Sequence, residues 1–310
     1  NGIDDDGNGI VDDVYGINAV TNKGDPKDDN GHGTHVAGII GAVGNNGRGV
    51  VGVAWKVQLM ACKFMDSSGF GATSDAIQCI DYARNKGAKI INSSWGGTDD
   101  SLALRSAIYR ARSAGIVFVA AAGNDSLDND SSPNFPSSFD LDNIVAVGSS
   151  TRLDALADFS DFGANTVDLV APGSTIYSTW YTSDSAYAYL SGTSMSAPYV
   201  TGMFALLRAR FPNDTYKQLI DRVFAATDPI TSLNGKCVTG GRVNLQRSLS
   251  STLLANFTAS ALLGSPPLTV NFRDASIGEA NRRAWNFGDG TPPSADLNPT
   301  HLFDSEGNFT

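Results

Sequence analysis

Continuous apolar runs alternate along the chain with segments in which apolar side chains recur every three to four residues. The runs lie at 57–65, 88–92, 116–124 and 143–150. One segment between them predicts an amphipathic helix that ends at Gly87, and 101–115 predicts another. Strands that are apolar throughout are buried on both faces, so this alternation predicts an α/β fold: a parallel sheet with helices on both faces. Functional residues are then expected at the carboxyl ends of the strands.

A further helical segment follows Ser194, in LSGTSMSAPYVTGMF at 190–204. We expect Pro198 in the first turn of this helix, where its missing N–H costs nothing. An anion formed beside Ser194 would meet free main-chain N–H groups and the positive end of the helix dipole. A Gly-Thr-Ser turn can also simply cap a helix, so this stretch alone leaves a nucleophile and a cap both open.

Three more stretches bear on that choice. They are NGHGTHVAG at 30–38, SSWGG at 93–97 and VFVAAAGND at 117–125. Together with the Ser194 stretch, and in this order, they resemble the subtilases, the subtilisin-like serine peptidases. The resemblance covers roughly residues 1–250 and implies a subtilisin-like fold and a serine endopeptidase acting on protein or peptide substrates.

The resemblance also assigns roles to individual residues. It implies Ser194 as nucleophile, His32 as general base, His35 as a structural residue and Asn124 as a side-chain donor to the oxyanion. An imidazole that titrates near neutrality can take the serine proton and return it to the leaving amine. The two histidines are also spaced as a possible metal pair, but no third ligand accompanies them. For Asn124 the alternative is a turn or capping residue.

Glycine-rich loops at two strand ends resemble the segments that flank a subtilase substrate. A peptide can add there as an extra strand, held by main-chain hydrogen bonds. Ordinary loop glycines are the alternative. The resemblance implies these substrate-binding residues: Ser68, Gly69, Gly71, Ser94, Trp95, Gly96 and Gly97, with Asn134 at the base of the specificity pocket.

The third member of the triad has no counterpart in the sequence. A subtilase triad runs Asp, His, Ser, and its aspartate ends an apolar strand upstream of the histidine. No apolar strand ending in Asp-Thr-Gly or Asp-Ser-Gly lies between Asn1 and His32. We expect this aspartate upstream of Asn1 and the chain by itself to be weak or inactive, with Asp28 or Asp29 as substitutes in the alternative.

Acidic and amide side chains alternate at the start of the chain, at Asp4, Asp6, Asn8 and Asp12. Alternating oxygen ligands around a glycine turn can wrap calcium, and the first half of this stretch matches an EF-hand loop. Tyr15 occupies the position where such a loop carries glutamate. We predict a calcium site of another type, with a solvated acidic turn as the alternative. Many extracellular subtilases resemble this stretch and bind calcium there or nearby.

The composition limits the cellular environment and the binding partners that we expect for this chain. The chain has 310 residues, 41% of them hydrophobic, which is enough for one sizeable core and a smaller module. A formal net charge of −10 argues against nucleic acid as a partner. The sequence has no apolar run long enough to span a membrane. We expect an extracellular, secreted enzyme. Cys62, Cys79 and Cys237 allow at most one disulfide, and we expect Cys62 and Cys79 to be small core residues and not a bridge.

Composition changes near residue 250, where we place the end of the peptidase domain. Residues 255–310 carry Pro/Gly turns between short alternating runs, which predicts an all-β sandwich. WNFGDG at 285–290 resembles the PKD domain, an immunoglobulin-like module, here cut off in its final strand at Thr310. Such modules act as spacers or bind insoluble polymers. The alternative function is therefore a non-catalytic binding protein that attaches to surfaces or polymers through this module.

Overall fold

The chain folds as two units, residues 1–249 and residues 250–310. The structure is a computed structural model that describes residues 1–250, 253, 255–278 and 282–309. Among these residues no helix is both long and apolar enough to cross a membrane.

The first unit carries the helices and most of the strands. Its helices are α1 (His32–Gly41), α2 (Thr73–Asn85), α3 (Leu102–Ser113), α4 (Thr193–Arg210), α5 (Tyr216–Ala225) and α6 (Leu245–Ser250), whose last residue belongs to the second unit, with a short 3-10 turn at Thr231–Leu233. Its strands are β1 (Gly16–Asn18), β2 (Ala61–Lys63), β3 (Ile90–Ser93), β4 (Val117–Ala121), β5 (Ile144–Ser150), β6 (Leu169–Pro172), β7 (Ile176–Thr179), β8 (Tyr187–Leu190), β9 (Asp228–Pro229) and β10 (Gly241–Arg242).

The main sheet has the strand order β3-β4-β5-β6-β10-β9. Its strands run parallel from β3 to β10, and only β9 is antiparallel. Every residue of β4 and β5 is buried, which is why these runs are apolar without alternation. The prediction of a parallel α/β sheet is confirmed.

Helices cover both faces of this sheet. On one face Val119, Val147 and Leu169 pack against Val200 and Phe204 of α4. On the other face alternate residues of the same strands pack against α2 and α3: Phe118, Ala120 and Ile144 contact Ile80 and Ile108. The period of two along each strand therefore divides the apolar run between two separate cores.

The first apolar run, 57–65, does not form the long buried strand that the sequence predicts. Only Ala61–Lys63 is a strand, and it pairs in parallel with β1 alone. Leu59 and Met60 are exposed, at 45% and 37%. The prediction was wrong because, among the described residues, this run has only short partners: β1 beside residues 61–63 and a single bridge from Met65 to Gly71. Cys62 and Cys79 lie together beside β1 as free thiols.

Helix α4 passes close to α1. A Cβ on Gly202 would lie 2.6 Å from Val53 and 3.2 Å from the main-chain oxygen of Ile40, so only glycine fits between the helices. Near its start, Met195 is buried against Val36 and Ile39 of α1. This packing fixes the amino-terminal turns of the two helices relative to one another.

The second unit contains a three-stranded antiparallel sheet: β11 (Phe257–Ala259), β12 (Leu268–Asp274) and β13 (Thr300–Phe303). A small aromatic core packs on β12. Within it His301 stacks on Phe287 at 3.9 Å, and its Nε2 lies 2.6 Å from Asp289. His301 is thus engaged in packing and in a hydrogen bond. Thr310, where the sequence predicts a truncated strand, lies outside the described residues.

Candidate active site

Ser194 lies in the first turn of α4 and exchanges hydrogen bonds with Ser94 at the end of β3. The Ser194 hydroxyl donates to the Ser94 carbonyl at 3.1 Å, and the Ser94 hydroxyl donates to the Ser194 carbonyl at 2.8 Å. The Ser194 carbonyl is available because Pro198, four residues on, has no N–H to donate to it. The prediction that Pro198 lies in the first turn of α4 was wrong. The helix begins at Thr193, so Pro198 lies in its second turn.

A chain of side-chain hydrogen bonds anchors this turn to the sheet. Thr201 donates to Asn92 at 2.8 Å, and Asn92 donates to the Ser94 hydroxyl at 2.9 Å. The resemblance implies that Ser94 is part of a substrate edge. In the structure its side chain holds Ser194 in position. The sequence analysis missed Asn92 and Thr201, since nothing in their spacing links them.

His32 is the first residue of α1, and burial lowers its pKa. The neighbouring His35 lowers the pKa further, and Asp28 opposes the shift. The imidazole is therefore neutral at pH 7, the form that can accept a proton. Among the described residues the ring of His32 has no hydrogen-bond partner.

Among the described residues neither Asp28 nor Asp29 makes a hydrogen bond to the His32 ring. Asp28 accepts hydrogen bonds from the N–H of Gly31 at 2.9 Å and from the N–H and hydroxyl of Thr34 at 2.8 and 2.6 Å. It satisfies the free N–H groups at the start of α1. Asp29 pairs with Lys63. Both carboxylates are thus committed to other groups.

His35 is fully buried, and its Nε2 lies 3.1 Å from the carbonyls of Ile176 and Ala188. Two carbonyls can only accept, so this nitrogen carries the proton. His35 joins α1 to the β7–β8 hairpin.

Asn124 follows β4 and faces the start of α4. Its side-chain oxygen accepts hydrogen bonds from the N–H of Thr193 at 2.8 Å and from the Thr193 hydroxyl at 3.0 Å. The side-chain NH₂ is left as a donor. The N–H of Ser194 has no acceptor among the described residues. A Cβ built at Gly192 would lie 3.7 Å from the Ser194 nitrogen and 3.8 Å from the Asn124 side-chain nitrogen, so these two N–H donors, of the kind that stabilise an oxyanion, lie near one point.

The loop after β3, which is predicted to be a substrate edge, is joined to the chain at Phe135. Gly97 and Phe135 exchange two main-chain hydrogen bonds, at 2.9 and 2.7 Å. A Cβ on Gly96 would lie 2.7 Å from the side chain of Asn134, so glycine permits this approach. Asn134 itself donates to the carbonyl of Ala122 at 2.8 Å.

The second predicted edge lies near His32. The loop that contains Ser68 and Gly69 is held by Asn30, whose side chain donates to the carbonyl of Ser67 at 3.0 Å. Gly71 pairs with Met65 in an isolated bridge. Trp95 of the first edge contacts Phe64, next to this loop, with ring centroids 5.0 Å apart. The two predicted edges therefore adjoin one another.

The acidic loop at the start of the chain brings together only part of the predicted calcium set. Asp4 and Asp6 both accept from the N–H of Asn8, at 3.1 and 3.3 Å. Asp12 instead accepts from the amino terminus and from the N–H of Gly2. Within the described ranges no group of three or more His, Cys, Asp or Glu residues is placed to hold a metal. Calcium binding stays a prediction.

Comparison with known proteins identifies the family of this arrangement. The model of the subtilase family matches residues 2–246. The chain is 39% identical over 267 residues to subtilisin-like protease 1 of Plasmodium vivax, covering 80% of this chain and 42% of that protein. Thermitase of Thermoactinomyces vulgaris is 43% identical over 197 residues, covering 64% and 68%.

A solved structure agrees. The crystal structure of a cold-adapted subtilisin-like serine proteinase matches with a TM-score of 0.63 and 37% identity, over 74% of this chain and 79% of that one. The chain spans less than half the length of the Plasmodium relatives that it matches.

Proposed function

The chain belongs to the subtilase family of subtilisin-like serine peptidases, and from that premise we propose that it is the catalytic part of an endopeptidase. The observation that carries the proposal is the contact between Asn124 and Thr193. This contact leaves the Asn124 NH₂ and the Ser194 N–H as donors, and the two nitrogens lie near one point beside Gly192. A hydroxyl beside two such donors suits acyl transfer.

The proposed reaction has two halves. The Ser194 hydroxyl oxygen attacks the peptide carbonyl while His32 takes its proton, and the oxyanion receives the two N–H donors. His32 then protonates the leaving amine, and the C–N bond breaks to give an acyl-enzyme. Water repeats the sequence, with His32 as base and Ser194 as the leaving group.

We assign the orienting carboxylate of His32 to sequence upstream of Asn1. Asp28 and Asp29 are engaged with other groups, which argues against either as a substitute. The outer edges of β2 and β3 support the assignment: β2 pairs only with β1, and β3 ends its sheet among the described strands. An added strand that carried the carboxylate would find main-chain partners there.

The proposed substrate is an extended peptide. It would lie between the loop 68–71 and the loop 94–97, and would take main-chain hydrogen bonds from both. Asn134, beside Gly96, would line the pocket for the side chain that precedes the cleaved bond. We expect this arrangement to depend more on whether the substrate chain is accessible and extended than on its sequence.

Three further features belong to the proposal. Asp4 and Asp6 would bind a structural calcium, supported by their shared approach to the N–H of Asn8. The second unit would be a PKD-like module for attachment to an insoluble polymer or surface. The acidic, charge-poor composition fits a secreted enzyme.

The test is hydrolysis of an unfolded protein substrate by the full-length protein and by its Ser194→Ala and His32→Ala variants. We expect both variants to lose activity by at least a thousandfold while their melting temperatures stay close to wild type. Full activity in Ser194→Ala would overturn the proposal.

A further inference from the structure

We propose that Asp161, outside the predicted site, is a positioning residue that holds the Asn124 loop in place for oxyanion binding. The inference rests on the proposed function, because it concerns the donor that Asn124 supplies.

Asp161 makes three hydrogen bonds to main-chain groups on both sides of Asn124. Its own N–H donates to the carbonyl of Gly123 at 3.1 Å. One carboxylate oxygen accepts from the N–H of Asp125 at 2.8 Å and from the N–H of Leu127 at 2.9 Å. Asn124 thus projects from a segment whose preceding and following residues are both held by one side chain and its main chain.

The Asp161 carboxylate also approaches Gly123 so closely that no side chain fits at position 123. A Cβ at Gly123 would lie 1.9 Å from the other carboxylate oxygen of Asp161, and the φ of Gly123 is +121°. Only glycine allows both the contact and the backbone conformation. The Asp161 carboxylate therefore packs directly against the main chain at Gly123.

The carboxylate is buried at a cost that no cation offsets. Asp161 is 2% exposed, and among the described residues it has no ion-pair partner. Burial raises its pKa, the N–H groups of Leu127 and Asp125 lower it, and the Asp125 charge raises it. A buried carboxylate that relies on main-chain N–H groups holds their positions firmly, because moving them would leave a charge unsatisfied.

Thr193 and Asp161 therefore hold different parts of Asn124. Thr193 orients the side-chain amide of Asn124, while Asp161 fixes the main chain that carries it. Loss of either contact would misplace the donor relative to the oxyanion, and misplacement by about 1 Å can cost about a hundredfold in rate.

The experiment measures kcat and KM for the full-length protein and its Asp161→Ala, Asp161→Asn and Asn124→Ala variants. We expect Asp161→Ala to lower kcat about tenfold to a hundredfold with KM within about twofold. Asp161→Asn, whose amide oxygen still accepts, should recover most of kcat. Asp168→Ala is the matched control, because Asp168 also accepts from a main-chain N–H, that of Ala146, but lies before β6, at the end of the sheet opposite to Asn124, and it should leave kcat unchanged.

A double mutant separates positioning from stability. If Asp161 acts through Asn124, Asp161→Ala should add little loss of kcat to Asn124→Ala. Multiplicative losses, or Asp161→Asn as slow as Asp161→Ala, would overturn the inference. If Asp161→Ala does not fold, Asp161→Ser replaces it, since its shorter side chain cannot reach both N–H groups. Unchanged kcat in Asn124→Ala would instead refute the proposed oxyanion role itself.

Discussion

The main-chain N–H of Thr193 donates to the side-chain oxygen of Asn124 at 2.8 Å, joining residues 69 positions apart in sequence. The Thr193 hydroxyl donates to the same oxygen at 3.0 Å. An amide whose oxygen is held in this way has no freedom to exchange its oxygen and nitrogen positions. The turn before the nucleophile therefore sets which end of Asn124 faces a substrate.

Asn124→Ala is expected to lower kcat by about a hundredfold to a thousandfold with little change in KM, because the donor acts on charge that develops in the transition state. Steady-state kinetics on a peptide substrate test this. Thr193→Ser, which keeps the hydroxyl and the N–H, is the control and should retain most of the activity. A rise in KM at constant kcat would assign Asn124 to substrate binding.

The sequence predicts this site in part. The continuous apolar runs predict the parallel sheet correctly, because burial on both faces leaves no alternation. Sequence motifs identify Ser194 and Asn124, because the residues of each motif are contiguous in the sequence. The contacts that Asp161 makes with Asp125 and Leu127 were not predicted, because they depend on how a distant loop returns to the end of β4.

The error at 57–65 has a different cause. An apolar run shows that a segment can be buried, but not whether a partner strand is present to pair with it. In the structure Leu59 and Met60 are exposed beside a strand that pairs on one side only. Pairing is a property of the whole sheet, which local periodicity does not contain.

Asp168 should make the first unit less stable as the pH rises from about 4 to about 7. Burial raises its pKa to about 7, against the N–H of Ala146, which lowers it. The folded state thus binds more protons than the unfolded state in this range, and stability falls until Asp168 is ionised.

Urea unfolding at pH 5 and pH 8, compared between wild type and Asp168→Asn, measures the effect. The variant keeps an acceptor for Ala146 but does not titrate, so between these pH values its stability should fall by up to about 3 kcal/mol less than that of wild type. An identical pH dependence in both proteins would show that Asp168 does not titrate in this range.

Calcium should raise the melting temperature if Asp4 and Asp6 share an ion. Calcium at about a hundred times its Kd would add about 2.7 kcal/mol, a shift of several degrees for a unit of this size. Melting curves with calcium and with a chelator test this, and Asp4→Asn combined with Asp6→Asn should remove the difference. Asp184→Asn, on an exposed turn, is the control. Equal melting temperatures with calcium and with chelator would refute the site.

A fluorophosphonate probe reports whether Ser194 is an activated nucleophile. The full-length protein, freed of any pro-segment, should be labelled stoichiometrically at Ser194, and its Ser194→Ala variant should not be labelled. The chain 1–310 should react far more slowly, because the proposed carboxylate lies upstream of it. Absence of labelling in the full-length wild type, or equal labelling in Ser194→Ala, would show that Ser194 is not the nucleophile.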